Sequence, residues 1–462
     1  MHPIISHKFS GMDIQQWEDK YLAHFSYAIL GESEKRIVLI DPSRNPEQYL
    51  EYANRREAKI VGIIETHPHA DFVSSHLEIS KLTGATIYNS KLVNAHYPHQ
   101  TFDDGDSIQI GKIKLSAINT PGHSPDSISI LLEYLGEPKA VFTGDTLFIG
   151  DCGRPDLREG AGNIKATRQE LAKQMYHSLR DKLATLRGDM LVYPAHGAGT
   201  LCGKALSKAH SSTIDAEKLT NWSLQEMSEE AFVKTLLSDQ PFVPVYFPFD
   251  VELNRKGASA FKESIEKVKM ISPVTEEAGA AHLKKDIWIV DARAEKVFKK
   301  AHLPHSVNLM EGDKFETWLG SIISPGEKFY LGGESQEQLK KLIARTASIG
   351  YEDKIQEAFV IDYGKLTNEQ LDVASFKKNP DNYTIIDVRN PSEVKEKKIF
   401  RNSYSIPLSE IRKRVNEIPT NKPIVVHCAG GYRSAAGSSL IQSKLNGRTS
   451  VFDLGEAIKE FT

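Results

Sequence analysis

Four apolar runs in the first 200 residues each end on a histidine or an acid, and this recurrence constrains the fold more than any other feature of the chain. Ile60-Val61-Gly62-Ile63-Ile64 opens into Thr66-His67-Pro68-His69-Ala70-Asp71-Phe72. Lys112 to Asn119 runs into Thr120-Pro121-Gly122-His123-Ser124-Pro125, Ala140 to Phe142 into Thr143-Gly144-Asp145-Thr146, and Met190 to Tyr193 into Pro194-Ala195-His196-Gly197. Short apolar runs bounded by turn residues read as buried strands. A histidine that only satisfies a core needs one partner and has no reason to recur at strand ends. Side chains delivered by separate strands of a rigid sheet can instead meet at one ion, so the pattern predicts a metal site on an α/β scaffold.

The 462 residues are enough for two to four domains, and 40% hydrophobic with 26% charged residues is the composition of a globular protein. A net charge of -3, with no basic block, argues against a nucleic-acid partner. The first residues carry no cationic stretch ahead of an apolar core, and no apolar run approaches the roughly 18 residues that cross a bilayer. A cytoplasmic protein without a membrane partner is the expectation. Three cysteines, Cys152, Cys202 and Cys428, are too few and too odd for a disulfide framework, so each is weighed as a free thiol.

In order and wording, THPHAD, PGHSP, TGDTLF and YPAHG resemble the motifs of the metallo-beta-lactamase superfamily over about the first 250 residues. The resemblance implies an αββα sandwich with its metal site at one edge of the two sheets. The usual motif ends in Asp-His, whereas Asp71 is followed here by Phe72, which can coordinate nothing. The better match is the persulfide dioxygenase branch, which implies one Fe(II) per chain held by His67, His123 and Asp145, with O2 as co-substrate. Two imidazoles and a carboxylate form a facial triad that leaves open positions, and zinc, which has no redox chemistry, would favour hydrolysis. On this reading His69 and Asp71 orient the ligands and His196 acts at the reacting groups. Arg154, in Asp151-Cys152-Gly153-Arg154-Pro155-Asp156, is placed to fork onto a substrate carboxylate or persulfide, and Cys202 is a candidate persulfide acceptor.

The proline-dense stretch 240–248 suggests an extended arm closing the first domain, and residues 257–272 read as a helix leading into something new. Beyond it the chain repeats. Trp288-Ile289-Val290-Asp291-Ala292-Arg293 recurs as Thr384-Ile385-Ile386-Asp387-Val388-Arg389, about 96 positions later. Strand, Asp-x-Arg turn, helix and return to the sheet at that spacing predict two copies of one small α/β domain. The second copy carries an apolar strand ending in His427-Cys428-Ala429-Gly430-Gly431-Tyr432-Arg433-Ser434. Loop amides and a helix N-terminus around a thiol favour its thiolate or persulfide anion.

This segment resembles the rhodanese family of sulfurtransferases, which implies Cys428 as sulfur carrier, with Gly430 and Gly431 cradling substrate and Arg433 closing the loop. Four residues separate Cys428 from Arg433, against five in the related phosphatases, so the loop favours sulfur over phosphate. The first copy has no nucleophile: counted from Asp291 as Cys428 is from Asp387, the matching position is Gly332. The expected architecture is α/β multidomain: a metallo-beta-lactamase sandwich over 1–270, a cysteine-free rhodanese-like domain over 271–368 and a rhodanese over 369–462.

Across the whole chain this order resembles the bacterial persulfide dioxygenase-rhodanese fusions of sulfide detoxification. The implied chemistry is oxidation of a low-molecular-weight thiol persulfide to sulfite and thiol, then transfer of a sulfane sulfur from Cys428 to sulfite, giving thiosulfate. A homo-oligomer is expected. A zinc thioester hydrolase of the glyoxalase II kind and a non-catalytic sulfur carrier are the alternatives.

Overall fold

The computed structural model describes residues 2–157, 166–204 and 206–461. The chain parts into two compact units, residues 1–263 with 347–350, and residues 264–346 with 351–462.

The first unit is built on two sheets. One has seven strands in chain order, His2–Phe9, Met12–Asp19, His24–Gly31, Arg36–Ile40, Lys59–Ile64, Thr86–Asn89 and Gln100–Thr101, antiparallel at first and parallel from Arg36–Ile40 onward. The other runs Ser212–Thr213, Leu191–Pro194, Glu137–Gly144, Ile128–Tyr134, Ile113–Asn119, Ser107–Ile110. Period-two alternation explains why the sheets stack. Phe25, Tyr27 and Ile29, with Val38 and Ile40, face Leu115, Ile130, Leu132, Phe142 and Tyr193 between the sheets. The residues in between, Ala28, Leu30, Ile37 and Leu39, face outward onto Tyr49 and Tyr52 of the helix Glu47–Arg55 and Ile79 of the helix His76–Thr83. On the second sheet Val141 and Val192 meet Ala172 and Met175 of the helix Arg168–His177 and Phe232 and Leu236 of the helix Glu229–Leu237. Both faces of each sheet are therefore apolar, as an αββα sandwich requires. Each fully buried Ile or Leu contributes about 2 kcal/mol over its exposed state.

Two local expectations change. The stretch 240–248 is not an arm throughout, because Pro248 lies in the first turn of the helix Phe247–Lys256, where its missing N–H costs nothing. The helix expected over 257–272 is only Phe261–Glu266.

The second unit holds two parallel four-stranded sheets of identical order. The first runs Ser306–Asn308, Trp288–Asp291, Phe329–Gly333, Ile355–Val360, and the second Tyr404–Ser405, Thr384–Asp387, Ile424–His427, Val451–Asp453. The repeat extends to side chains. Arg293 grips Asp291 through Nε and Nη2 while Nη2 donates to Ala301 O, and Arg389 does the same with Asp387 and Lys397 O. The register corrects the sequence count by one residue. Asp291 lies opposite Gly332 and Asp387 opposite His427, so Gly333 stands where the second copy has Cys428.

Candidate metal centre and sulfur-transfer loop

His67 leaves the end of Lys59–Ile64, His123 that of Ile113–Asn119 and Asp145 that of Glu137–Gly144, so both sheets of the sandwich contribute. Glycine makes this convergence possible. At Gly122 a Cβ would stand 2.5 Å from Met175 Cα, and at Gly153 one would stand 1.9 Å from Asp145 O and 3.0 Å from His123 Nδ1.

The three side chains are buried, and one ligand atom from each lies within 4.8 Å of the others. His123 Nε2 is 3.4 Å and His67 Nε2 3.9 Å from Asp145 Oδ2. Neighbouring ligands at about 2.1 Å from one ion stand roughly 3 Å apart, so small movements would close the shell. Asp145 Oδ2 is buried and has no hydrogen-bond donor, a costly state that a cation relieves.

The surroundings prepare each donor. Thr66 Oγ1 donates to Asp41 Oδ2 at 2.8 Å, so toward His67 Nδ1, at 3.1 Å, it accepts. His123 Nδ1 donates to Arg154 O at 2.9 Å. Both imidazoles are thereby held with Nε2 as the lone-pair nitrogen, the tautomer a metal needs. Burial, then the neighbouring His69, keeps His67 neutral. Asp145 Oδ1 accepts from His196 Nδ1 at 2.7 Å, and His196 Nε2 is 2.8 Å from Asp71 Oδ2. Burial opposes a charge on His196, but the two carboxylates outweigh it and raise its pKa well above the usual value. These residues fit a single Fe(II) or another divalent ion.

The paired histidines of the first motif diverge. His69 Nε2 lies 3.1 Å from Asp41 Oδ1 and 3.8 Å from Glu65 Oε2. Phe72 packs between His69 and His24, with ring centroids 4.3 and 3.8 Å away. Asp71, His196 and Cys202 form a second buried cluster within 4.8 Å, and burial, then Asp71 and Asp145, pushes the Cys202 thiol well up, holding it protonated.

Arg154 corrects an expectation. Its Nε and Nη2 donate to Asp156 at 2.7 and 2.6 Å, and its Nη1 to the carbonyls of Leu201 and Phe242. The guanidinium is buried and spent on the protein, so it does not reach for substrate; its service to the centre is the carbonyl that holds His123. His24 and Glu65 were not foreseen. Asp41 reads in the sequence as the acid that closes an apolar strand but was not assigned to the site, whereas His24 opens a strand and carries no signal in the sequence.

In the second unit Cys428 follows Ile424–His427 and is buried, while Ala429 and Gly430 are exposed. Gly431 N–H points at Cys428 Sγ across 3.1 Å, and Ser434 Oγ is 3.7 Å away. Gly431 has φ +102, a conformation that favours glycine and turns its amide toward the sulfur. The helix Tyr432–Leu445 follows and aims its N-terminus at the thiol. Arg433 is engaged by Glu393.

The sandwich and the second sheet of the second unit have matching counterparts among known families. The metallo-beta-lactamase superfamily matches over residues 21–196 and the rhodanese-like domain family over 369–462. The chain belongs to the metallo-beta-lactamase superfamily and carries a rhodanese domain fused C-terminally. Within the superfamily it is related to the mitochondrial persulfide dioxygenase ETHE1 of Bos taurus, 34% identical over 211 residues, 45% of this chain and 74% of that protein. The probable hydroxyacylglutathione hydrolase glo2 of Schizosaccharomyces pombe is 32% identical over 206 residues, 43% of this chain and 73% of that protein. A solved metallo-beta-lactamase from Staphylococcus aureus is 29% identical with a TM-score of 0.67, covering 76% of this chain and 99% of that one. Among the described residues no helix is long and apolar enough to cross a membrane.

Proposed function

We propose that the first unit oxidises a low-molecular-weight thiol persulfide with O2 and that Cys428 joins this to sulfur transfer. The observation that carries the reading is the orphaned Asp145 Oδ2 beside His67 and His123, with Phe72 where a further imidazole would hold a second ion. Bound Fe(II) would supply the redox chemistry that O2 requires. In the balanced reaction, RSSH, O2 and H2O give RSH, sulfite and two protons. His196, held between Asp145 and Asp71, is the group placed to exchange those protons. In the second step Cys428 takes the outer sulfur of another RSSH, whose S–S bond breaks to release RSH; sulfite then attacks the outer sulfur of the Cys428 persulfide, that S–S bond breaks toward Cys428, and thiosulfate leaves with the thiol restored. The Gly431 amide and the helix N-terminus favour the departing thiolate.

The test is oxygen consumption by the Fe(II)-loaded chain on addition of glutathione persulfide and, separately, coenzyme A persulfide. Rapid uptake with sulfite or thiosulfate appearing supports the reading, and no uptake at verified iron occupancy defeats it. A zinc thioester hydrolase is the second reading, favoured by the Asp71, His196 and Cys202 cluster, which could hold another ion. Zinc-loaded protein that hydrolyses a glutathione thioester would support it.

A further inference from the structure

The cysteine-free copy touches the sulfur-transfer loop directly. Tyr432, the residue after the Gly431 amide that faces the thiol, donates its hydroxyl to the carbonyl of Met310 at 2.9 Å. Its ring lies against Gly312, where a Cβ would come within 2.8 Å of Tyr432 Cε2. About two turns further along the same helix, Ser439 Oγ accepts from Asn308 N–H at 2.9 Å. The platform is itself held: Met310 Sδ lies 3.2 Å from the Glu295 amide, and Arg345 bonds Gly312 O at 2.7 Å while paired with Glu316. Lys299 of the first copy reaches the buried Asp453 of the second at 2.9 Å. The cysteine-free copy thus puts its backbone against the first residue of the helix that begins beside Cys428.

We infer that the cysteine-free domain is a working part of the sulfur-transfer site, and that Tyr432 is a positioning residue that fixes the Gly431 amide and the helix N-terminus on Cys428 Sγ. The inference rests on Cys428 as the sulfur carrier and assigns the middle domain a task in that chemistry. The contact sets a direction: if the helix start drifts from Met310, the amide-to-sulfur contact lengthens and the thiolate loses a donor.

The experiment uses the full chain and two variants, Tyr432→Phe on the catalytic side and Gly312→Ala on the cysteine-free side. The rate of iodoacetamide alkylation of Cys428, followed by peptide mass spectrometry, is measured against pH, together with kcat and KM for thiosulfate-to-cyanide sulfur transfer. Both variants should show a midpoint moved to higher pH, with alkylation at pH 7 slowed about three- to tenfold and kcat falling with KM little changed. Oxygen uptake by the first unit should be unaltered, which controls for general damage. Unaltered pH profiles and kcat in both variants overturn the proposal. Alkylation needs no sulfur transfer, so shifted profiles in a chain that transfers no sulfur would sink the proposed function and leave the positioning role standing.

Discussion

Arg433 and Glu393 form a forked pair, with Nη1 and Nη2 of the guanidinium 2.5 and 2.8 Å from the two carboxylate oxygens. Arg433, at the end of the loop that carries Cys428, is thus tied to the helix Pro391–Glu396 behind the Asp-x-Arg turn. Glu393 also accepts from the Asn390 amide at 3.0 Å, so one carboxylate serves the loop and the helix start together.

Glu393→Ala should therefore lower sulfur transfer about tenfold while leaving oxygen uptake intact. The pair is partly exposed, so the loss of stability should be modest, about 1 kcal/mol. Sulfur-transfer assays and thermal denaturation would check the two halves separately.

Asp145→Asn keeps the size of the side chain but removes the charge that faces His67 and His123. Iron content after reconstitution should fall to a small fraction of one per chain, with oxygen uptake lost in step. Thr66→Val acts one layer out, by removing the hydroxyl that accepts from His67 Nδ1, and should weaken iron binding about ten- to hundredfold. Metal analysis at graded free iron would separate the two.

Phe72→His introduces an imidazole next to Asp71 in sequence, at a ring whose centroid is 6.5 Å from that of His196. Zinc-supplemented protein should then rise from about one to about two ions per chain by elemental analysis, and thioester hydrolysis is the activity to look for. A variant that still binds one ion would show that Phe72 does not decide the stoichiometry.

Acid should weaken the contact between the two small sheets through Glu327. Hydrogen bonding to Arg412, working against partial burial, lowers its pKa from 4.5 to about 2 in the folded state. A depressed carboxylate pKa stabilises the fold above the unfolded value, and that contribution is lost as pH falls from about 4.5 toward 2. Glu327→Gln should cost about 1 kcal/mol at pH 7, a figure reduced for solvent screening, and the difference from wild type should shrink below pH 4.5. Urea melts of both proteins across that range would show it.

The parts of this molecule readable in its sequence are those where local order reports a distant meeting. His67, His123 and Asp145 each follow a buried strand, and a sheet brings strand ends together, so their convergence could be inferred without knowing the topology. The repeat was legible because Asp-x-Arg recurs with the same strand before it. Arg154 was misjudged because its partners Leu201 and Phe242 lie far along the chain, and an arginine near a metal motif looks the same whether it faces substrate or carbonyls. His69 was already read as lying outside the ligand set, but its partner Asp41 was hidden for a similar reason, since Asp41 approaches from another strand. The count that put Gly332 opposite Cys428 slipped by one because loop lengths differ between the copies, and only hydrogen-bond register settles it.

The Asp291–Arg293 latch is kept intact in a copy that has no cysteine. Its partners are two residues apart, so it closes with almost no loop entropy and organises its own small sheet whatever the other copy does. A domain of this fold can thus hold its shape without a cysteine at the end of its third strand in chain order. The face of the cysteine-free copy that carries Met310 and Gly312 rests on this self-closing frame where it meets Tyr432.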